Sequence, residues 1–226
     1  MIEPRLLLAT GNAGKVREIR RALKGVRIGG HPLEIVGLGE IPPMAAPVER
    51  GRTFEENAKA KSFYYSRKWA GLTLAEDSGL EIEALGGAPG VRSARFSAPR
   101  PSDAKNIRKA LRLLASVPMP ARKARFVCVM ALADHGRIVA EFRGEVRGRI
   151  IVEPRGENGF GYDPIFYYRP LGRTFAELPA AVKNRVSHRG RAVDKLRQFL
   201  EKRGAPSGGG PDGARPVTSA RSRRPR

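Results

Sequence analysis

A glycine-bearing turn near the N-terminus has the composition of a phosphate-binding loop. The segment Thr10-Gly11-Asn12-Ala13-Gly14-Lys15 ends a predicted strand, Arg5–Thr10, and leads into a helix predicted to begin near Lys15. The free N–H groups at the start of a helix attract anions, and Lys15 adds a full positive charge. Ala9 and Val16 stand where a P-loop has Gly and Ser or Thr, so this is not a P-loop. Taken alone, the segment fits either a phosphate cradle or a plain turn.

A second polar segment, Glu76-Asp77-Ser78-Gly79, puts two carboxylates side by side at the predicted end of a strand, Leu72–Glu76. Carboxylates suit Mg²⁺, which keeps several waters and bridges to substrate phosphates. Because side chains alternate along a strand, Glu76 and Asp77 are expected to face opposite ways, and only one of them would be the main metal ligand. Further possible ligands precede this strand in the sequence: Glu49, Glu55 and Glu56. The alternative is a solvated acidic turn.

Other kinds of catalytic site are disfavoured. Ser78 is not in the Gly-x-Ser-x-Gly context of a serine hydrolase. Cys128 is the only cysteine and lies in an apolar run, which indicates a small buried side chain rather than a reactive thiol. A multi-histidine metal site is also disfavoured, because the chain has only three histidines: His31, His135 and His188.

A third set of polar residues lies in the last third of the chain, beginning with Gly159-Phe160-Gly161-Tyr162-Asp163-Pro164. An aromatic side chain between glycines can lie open to stack on a base. Lys183, His188 and Arg189 are donors that can reach phosphates or a carbonyl of a purine ring. Each feature alone fits a glycine-rich loop or a basic helix cap. The three segments together describe a nucleotide site.

The elements that must position these residues alternate between strands and helices. Thr53 and Ser102 are expected to cap helices that run to about Trp69 and Ser116. The other predicted strands are 33–38, 80–85, and the hairpin pair 124–133 and 137–147; the other predicted helices are 179–185 and 190–202. This order predicts an α/β fold around a mixed sheet.

The charge balance favours anionic partners. The 226-residue chain has 43 basic and 22 acidic residues, a formal net charge of +21. Residues 203–226, rich in Gly, Pro, Ser and Arg, are predicted to be a disordered basic tail that follows a single domain at 1–202. Such a tail would bind nucleic acid only weakly, if at all. A nucleic-acid-binding protein that uses its basic surface is a second hypothesis for function.

The sequence also predicts a location. No apolar run approaches the length needed to cross a bilayer, and the N-terminal Met1–Arg5 lacks the features of a secretory signal. We therefore expect a cytoplasmic protein without a membrane partner.

Six motifs in order resemble those of the inosine/xanthosine triphosphate pyrophosphatase family, whose members remove deaminated purine nucleotides. The similarity extends over about residues 5–200. The motifs are Leu8-Ala9-Thr10-Gly11-Asn12-Ala13-Gly14-Lys15, Thr53-Phe54-Glu55-Glu56-Asn57-Ala58, Glu76-Asp77-Ser78-Gly79-Leu80, Leu85-Gly86-Gly87-Ala88-Pro89-Gly90-Val91, Phe160-Gly161-Tyr162-Asp163-Pro164 and Ser187-His188-Arg189-Gly190.

The resemblance implies a long mixed β-sheet flanked by helices, two lobes with a nucleotide cleft between them, and a homodimer. It implies Mg²⁺-dependent hydrolysis of dITP, ITP and XTP to the monophosphate and pyrophosphate. Asp77 would be the metal-linked general base, and Glu49 the second metal ligand. The residues implied to bind substrate are Thr10, Gly11, Asn12, Lys15, Ser78, Phe160, Gly161, Tyr162, Asp163, Lys183, His188 and Arg189.

Two positions depart from the family pattern. Glu76 stands where many bacterial members have Asp, and Val48-Glu49-Arg50-Gly51 has one acidic residue where members often have two. A hydrogen-bond donor such as Arg189, or a backbone N–H, is expected to select a 6-keto purine over a 6-amino purine. A third hypothesis is a phosphatase or pyrophosphatase for pyrimidine or other modified triphosphates, because a stacking loop accepts any base.

Overall fold

A computed structural model describes residues 4–203 of the chain. The predicted tail therefore lies almost entirely outside the described residues. The helices are α1 (Ala13–Ala22), α2 (Phe54–Ser66), α3 (Asp103–Leu113), α4 (Ala180–Val186) and α5 (His188–Arg203). The strands are β1 (Arg5–Leu8), β2 (Arg27–Ile28), β3 (His31–Pro32), β4 (Glu34–Gly37), β5 (Leu72–Ile82), β6 (Lys123–Asp134), β7 (Arg137–Ile150), β8 (Phe166–Tyr168) and β9 (Arg173–Thr174).

The main sheet has seven strands in the order β4-β1-β5-β6-β7-β8-β9. Strand β1 pairs in parallel with β4 and β5, whereas β5, β6, β7, β8 and β9 pair antiparallel in succession. The long hairpin β6–β7 turns at Asp134-His135-Gly136, as its sequence predicts. The predicted mixed α/β sheet is thus confirmed.

Helices α1, α2 and α3 begin at side-chain caps. Asn12 accepts a hydrogen bond from Lys15 N at the start of α1, and Thr53 accepts one from Glu56 N at the start of α2. The predicted cap at Ser102 is also present, on α3. No helix among residues 4–203 has both the length and the apolarity that a membrane span requires.

The prediction for the central strand is wrong. The sequence predicts two strands, 72–76 and 80–85, with a break at 77–79, but β5 runs without interruption from Leu72 to Ile82, and Glu83–Leu85 form a 3-10 turn. Asp77, Ser78 and Gly79 pair with successive residues of β6, and the hydrogen bonds of that ladder outweigh the turn propensity of the segment. Gly79 is required by packing, because a Cβ there would collide with Ser93 Oγ and Gly90 O. The acidic pair therefore lies in the middle of a central strand and not in a solvated turn.

The hydrophobic core divides into clusters along the sheet. On the face that bears Leu74 and Cys128, α1 and α5 cover one cluster. A second cluster, farther along the same face, contains Leu80 and Phe126 together with residues of α3 and β8. The opposite face of β5 and β6 is covered by α2. Glu76 and Ser78 fall between the two clusters of the first face. Each of these clusters, with the elements that cover it, forms one lobe, so the two residues lie at the junction of the lobes.

Candidate active site

The N-terminus of α1 and its preceding loop form one wall of a cleft. Asn12 Oδ1 accepts from Lys15 N at 3.0 Å, and Thr10 Oγ1 accepts from Asn12 N at 3.2 Å, which fixes the loop. Lys15 Nζ reaches Glu76 Oε1 at 2.8 Å. Gly14 lies under Phe160, since a Cβ at this position would come within 2.7 Å of the ring. The first turn of α1 thus presents free N–H groups and one ammonium at the junction of the lobes.

Glu76 is buried among cations. Arg189 Nε donates to Glu76 Oε2 at 2.8 Å, and Arg189 Nη2 donates to Glu76 Oε1 at 3.1 Å. Burial alone would raise the pKa of Glu76, but the charges of Arg189 and Lys15 hold that pKa well below its usual range. The buried thiol of Cys128 also donates to Glu76 Oε2, at 3.2 Å. Glu76 is therefore held in its ionised form as a counter-ion to these cations, which makes it a poor proton acceptor.

Glu18, on α1, joins the two lobes and was not among the predicted site residues. It pairs with Arg189 and with Lys183 Nζ, the latter at 2.7 Å. Lys183 is also 2.5 Å from Asp163 Oδ2. Arg189, Lys183 and Asp163 are each at most 3% exposed, so these contacts are shielded from water. The network connects α1, β5, the loop before β8, and helices α4 and α5.

Asp77 points away from this network, as the alternation of strand side chains predicts. Its Oδ2 accepts from Asn57 Nδ2 at 3.0 Å, and its Oδ1 lies 3.4 Å from Lys61 Nζ. Burial raises the pKa of Asp77 above its ordinary value despite the opposing effects of Lys61 and Asn57. A partly desolvated carboxylate with a raised pKa is suited to accept a proton.

Glu49 belongs to the same side of the strand. Lys61 Nζ is 3.0 Å from Glu49 Oε1, and Arg95 is 3.0 Å from Glu49 Oε2. Lys61 therefore bridges Glu49 and Asp77. Asn57 and Lys61 were missed from the sequence, although their spacing of four residues in a predicted helix puts them on one face of α2.

The segment from Phe160 to Asp163, which was predicted to bind the base, is more buried than its sequence suggests. The ring of Phe160 is half-buried and lies over Lys183, 4.8 Å from its Nζ, and over Arg189. The hydroxyl of Tyr162 donates to Ser93 O at 2.9 Å, so Tyr162 anchors the segment Gly90–Arg95. Phe160 is thus held from one side by cations and by the loop of α1, and is not the open aromatic that its flanking glycines predict.

His188 is buried and lies parallel to Phe126, with ring centroids 4.7 Å apart. Burial and the neighbouring charge of Arg189 hold the pKa of His188 well below its usual range, so the ring is neutral. Its Nδ1 has no hydrogen-bond partner among the described residues. A neutral imidazole with a free nitrogen can accept a hydrogen bond from a base or donate one to it. It carries no positive charge that would attract a phosphate.

These side chains line one cleft of about 260 Å³ between the lobes. Every predicted site residue reaches it except Gly11, which is exposed beside the loop. Ser78 lines the cleft too, and its Oγ accepts from Arg189 Nη2 at 3.0 Å. The lining residues that the sequence reasoning missed include Lys61, Ser93, Arg95, Asp103 and Asn106.

Glu49 and Asp77 form a donor set that fits a hard cation. Their oxygens already converge on one positive centre, the ammonium of Lys61. Within residues 4–203 no group of three or more His, Cys, Asp or Glu side chains is arranged to hold a metal. Two carboxylates suffice for Mg²⁺ only when water and substrate phosphates complete its coordination. The residues therefore fit an ion that arrives with a phosphorylated ligand better than one held by the protein alone.

Known proteins of similar sequence and structure support the family resemblance. The profile of the Ham1 family matches residues 6–199. A dITP/XTP pyrophosphatase of Syntrophobacter fumaroxidans is 46% identical, over 87% of this chain and 82% of the relative. One from Geobacillus kaustophilus is 45% identical, over 87% of this chain and 94% of the relative. The structure of a HAM1 protein from Coxiella burnetii matches with a TM-score of 0.78 and 37% identity, covering 88% of this chain and 99% of that one.

The matching profile and these relatives cover nearly all the described residues, and the fold agrees with that of the matched structure. The chain belongs to the Ham1 family.

Proposed function

We propose that this protein hydrolyses deaminated purine nucleoside triphosphates, dITP, ITP, XTP and dXTP, to the monophosphate and pyrophosphate, and so cleanses the nucleotide pool. The observation that carries the proposal is a single cleft that combines a buried carboxylate of raised pKa with cations on both sides of it. The names of the relatives, dITP/XTP pyrophosphatases, support the choice of substrate.

The triphosphate is bound by the wall that contains Thr10-Gly11-Asn12 and Lys15. The N–H groups of the first turn of α1 meet phosphate oxygens, and Lys15 and Lys61 neutralise part of their charge. Lys15 approaches the cleft from the side of Glu76, and Lys61 approaches it from the side of Glu49. Phosphate binding therefore competes with ion pairs already present, and the two lysines exchange a carboxylate partner for a phosphate partner.

Asp77 acts as the general base. It accepts a proton from a water molecule as the water oxygen attacks the α-phosphorus, the bond between the α-phosphorus and the α–β bridging oxygen breaks, and pyrophosphate leaves. Asn57 holds the carboxylate in position through its 3.0 Å hydrogen bond, and the raised pKa increases its affinity for the proton.

Asp77 and Glu49 are the residues that would hold Mg²⁺. When bound, Mg²⁺ neutralises charge on the triphosphate and orients the attacking water. Lys61 bridges the two carboxylates and would give up one or both of them if they held a cation; because it also lines the cleft, it could then pair with a phosphate oxygen.

The base is bound on the side of Phe160–Asp163, with Lys183, His188 and Arg189. Arg189 has five N–H donors, and its hydrogen bonds to Glu76, Glu18 and Ser78 use four of them. The remaining N–H on Nη1, or the free nitrogen of His188, can meet the 6-keto oxygen of hypoxanthine or xanthine. A 6-amino group would oppose a donor with another donor, which is the proposed reason for rejecting ATP.

The test is a product assay with ITP, XTP, ATP and GTP, each with and without Mg²⁺. The proposal predicts fast Mg²⁺-dependent release of pyrophosphate from ITP and XTP, and slow release from ATP. GTP also carries a 6-keto oxygen, so its rate shows whether the site discriminates against the 2-amino group as well. Stepwise release of orthophosphate would identify a phosphatase instead. CTP and UTP are assayed in the same way, and rates equal to those with ITP would favour the broader pyrophosphatase.

Two further features remain predictions. The family resemblance implies a homodimer, and the lack of a long apolar run and of signal-like features at Met1–Arg5 predicts a cytoplasmic protein. Sedimentation of the purified chain measures the first, and microscopy of a tagged chain measures the second.

A further inference from the structure

Helix α3 carries a row of cations on the side that does not line the cleft. Lys105, Arg108 and Arg112 are exposed and spaced three and four residues apart, which puts them on one face of the helix. Over seven residues the row extends about 10 Å along the helix axis. Arg100, also exposed, extends it beyond the N-terminus of α3.

These cations have no acidic partner. Among residues 4–203, no carboxylate lies within 4.0 Å of the charged groups of Arg100, Lys105, Arg108 or Arg112, although many other basic residues of the protein are ion-paired. The one acidic residue between Phe96 and Arg122 is Asp103, and it is turned toward the cleft, where it accepts from Gly161 N at 2.7 Å. The row is therefore an uncompensated strip of positive charge.

The strip lines a groove together with Ser97 and Ala98. Its base is fixed, because Lys105 Nζ donates to Arg100 O at 3.0 Å and Lys109 Nζ donates to Phe96 O at 2.7 Å. Small and polar side chains between the cations leave room for a backbone to approach. A fixed groove with regularly spaced cations suits a regular row of negative charges better than a single anion.

The apolar side of α3 is already used. Ile107, Ala110 and Leu114 are buried in the cluster that also contains Leu80 and Phe126. A helix that binds a lipid surface inserts an apolar face into it, and the one large apolar side chain that α3 exposes, Leu113, does not make such a face. The strip therefore fits a polyanion that is recognised by charge alone.

We propose that the groove along α3 binds the phosphate backbone of nucleic acid, independently of base sequence and separately from the nucleotide cleft. Three phosphate contacts from Lys105, Arg108 and Arg112 fit the length of the strip, since duplex DNA advances about 3.4 Å per base pair. The site gives an enzyme of the nucleotide pool a second, polymeric ligand.

The test measures the binding of a labelled 20-base-pair DNA duplex of arbitrary sequence to the full chain by fluorescence anisotropy, at several salt concentrations. The variant carries Lys105→Gln, Arg108→Gln and Arg112→Gln. A matched control carries Arg17→Gln, Arg21→Gln and Lys24→Gln, which removes the same charge from exposed residues on and just after α1. Both variants keep the basic segment after residue 203, so any contribution of that segment cancels.

The expected result is a loss of affinity of 10-fold or more at low salt in the α3 variant, with a salt slope smaller in magnitude by about 2.7 for three lost phosphate contacts. The α1 control should lose much less affinity and keep its slope. Hydrolysis of ITP and the thermal midpoint should stay unchanged in both variants, which separates this site from the proposed activity and from misfolding.

Equal losses in the two variants would show that only net charge matters, and would overturn the proposal. So would an α3 variant that binds the duplex as the unmodified chain does. A further experiment measures the binding of the protein to vesicles that contain an anionic lipid, by flotation. Vesicle binding that depends on the α3 cations, without duplex binding, would identify a membrane surface and contradict the proposal.

Discussion

Glu76 and Asp77 are neighbours on one strand, yet they lie in opposite electrostatic surroundings. Glu76 faces α1 and α5 and is held by Arg189 and Lys15, which keep its pKa well below the usual range. Asp77 faces α2, where burial outweighs Lys61 and Asn57 and its pKa is raised. A strand with a period of two residues can thus present one carboxylate to each of two environments.

The difference shows how one strand can separate structural and chemical tasks. The side of Glu76 is a network of ion pairs that joins the lobes, and cations hold both carboxylate oxygens of Glu76. The side of Asp77 is open to the cleft and holds its carboxylate through one amide and one lysine. Four variants test this division, in order of decreasing expected effect.

Asp77→Asn should lower turnover of ITP by a factor of about 10²–10⁴, because the amide cannot accept the proton of the attacking water. The fold should be retained, since the amide keeps the size and shape of the side chain. Pyrophosphate release at saturating ITP measures the effect. Turnover within a few-fold of that of the unmodified chain would assign the base to another residue.

Glu76→Gln should destabilise the protein by about 3–5 kcal/mol, because it leaves the half-buried Lys15 without its counter-ion and the buried Arg189 with Glu18 as its remaining carboxylate partner. Urea unfolding measures the change. Glu81→Gln is the matched control on the same strand, where the partner Arg125 has 41% of its side chain exposed. The control should change stability by less than about 1 kcal/mol. Similar losses in the two variants would contradict the assigned role of Glu76.

Lys61→Met should lower turnover on the order of 100-fold through the loss of one charged group that stabilises the phosphates. It should also move the acidic limb of the pH–rate profile to higher pH, because Lys61 lowers the pKa of Asp77 and its removal favours the protonated acid. Lys59→Met, on the same helix and paired with Glu141 at the surface, is the control and should leave both unchanged. An acidic limb that stays in place would mean that Asp77 is not the group that titrates.

Phe160→Leu should raise KM for ITP on the order of 10-fold with little change in kcat, since an aromatic ring contributes about 1–3 kcal/mol when a base stacks on it. The half-buried ring over Lys183 makes this the smallest of the four effects. Phe63→Leu, on α2 and 44% exposed, provides the control. Unaltered KM in the Phe160 variant would leave that ring with a packing role only.

The sequence predicted the α/β class, the central hairpin, the caps at Thr53 and Ser102, and more than half of the residues that line the cleft. It could do so because these features depend on local patterns: apolar periodicity, cap residues and glycines at turns. The six motifs that resemble the inosine/xanthosine triphosphate pyrophosphatase family indicated that these distant residues belong to one site.

Contacts that depend on tertiary packing were not predictable in the same way. Strand β5 was expected to break at 77–79 because these residues favour turns. They are instead held in the strand by the ladder with β6, which is remote in sequence. Glu18 was missed, since a carboxylate in the predicted helix after the glycine turn shows no sign of partners at 183 and 189. Phe160 was expected to be open, but cations from α4 and α5 cover one face.

The pH dependence of stability in the Asp77→Asn and Glu76→Gln variants tests the division of tasks most directly. The raised pKa of Asp77 means that its ionisation costs stability at neutral pH, so Asp77→Asn should be more stable than the unmodified chain there. That gain should disappear as the pH falls and Asp77 becomes protonated. The lowered pKa of Glu76 means that its charge stabilises the fold above the ordinary pKa of a glutamate. Glu76→Gln should therefore be less stable at neutral pH, and its deficit should shrink in acid.

Thermal midpoints of the three proteins between about pH 3 and pH 8 give the answer, because this range spans the ordinary carboxylate pKa values and neutrality. Opposite signs for the two variants at neutral pH, converging in acid, are the result that the account predicts. Changes of the same sign at both positions would show that the two carboxylates share one environment, and would contradict it.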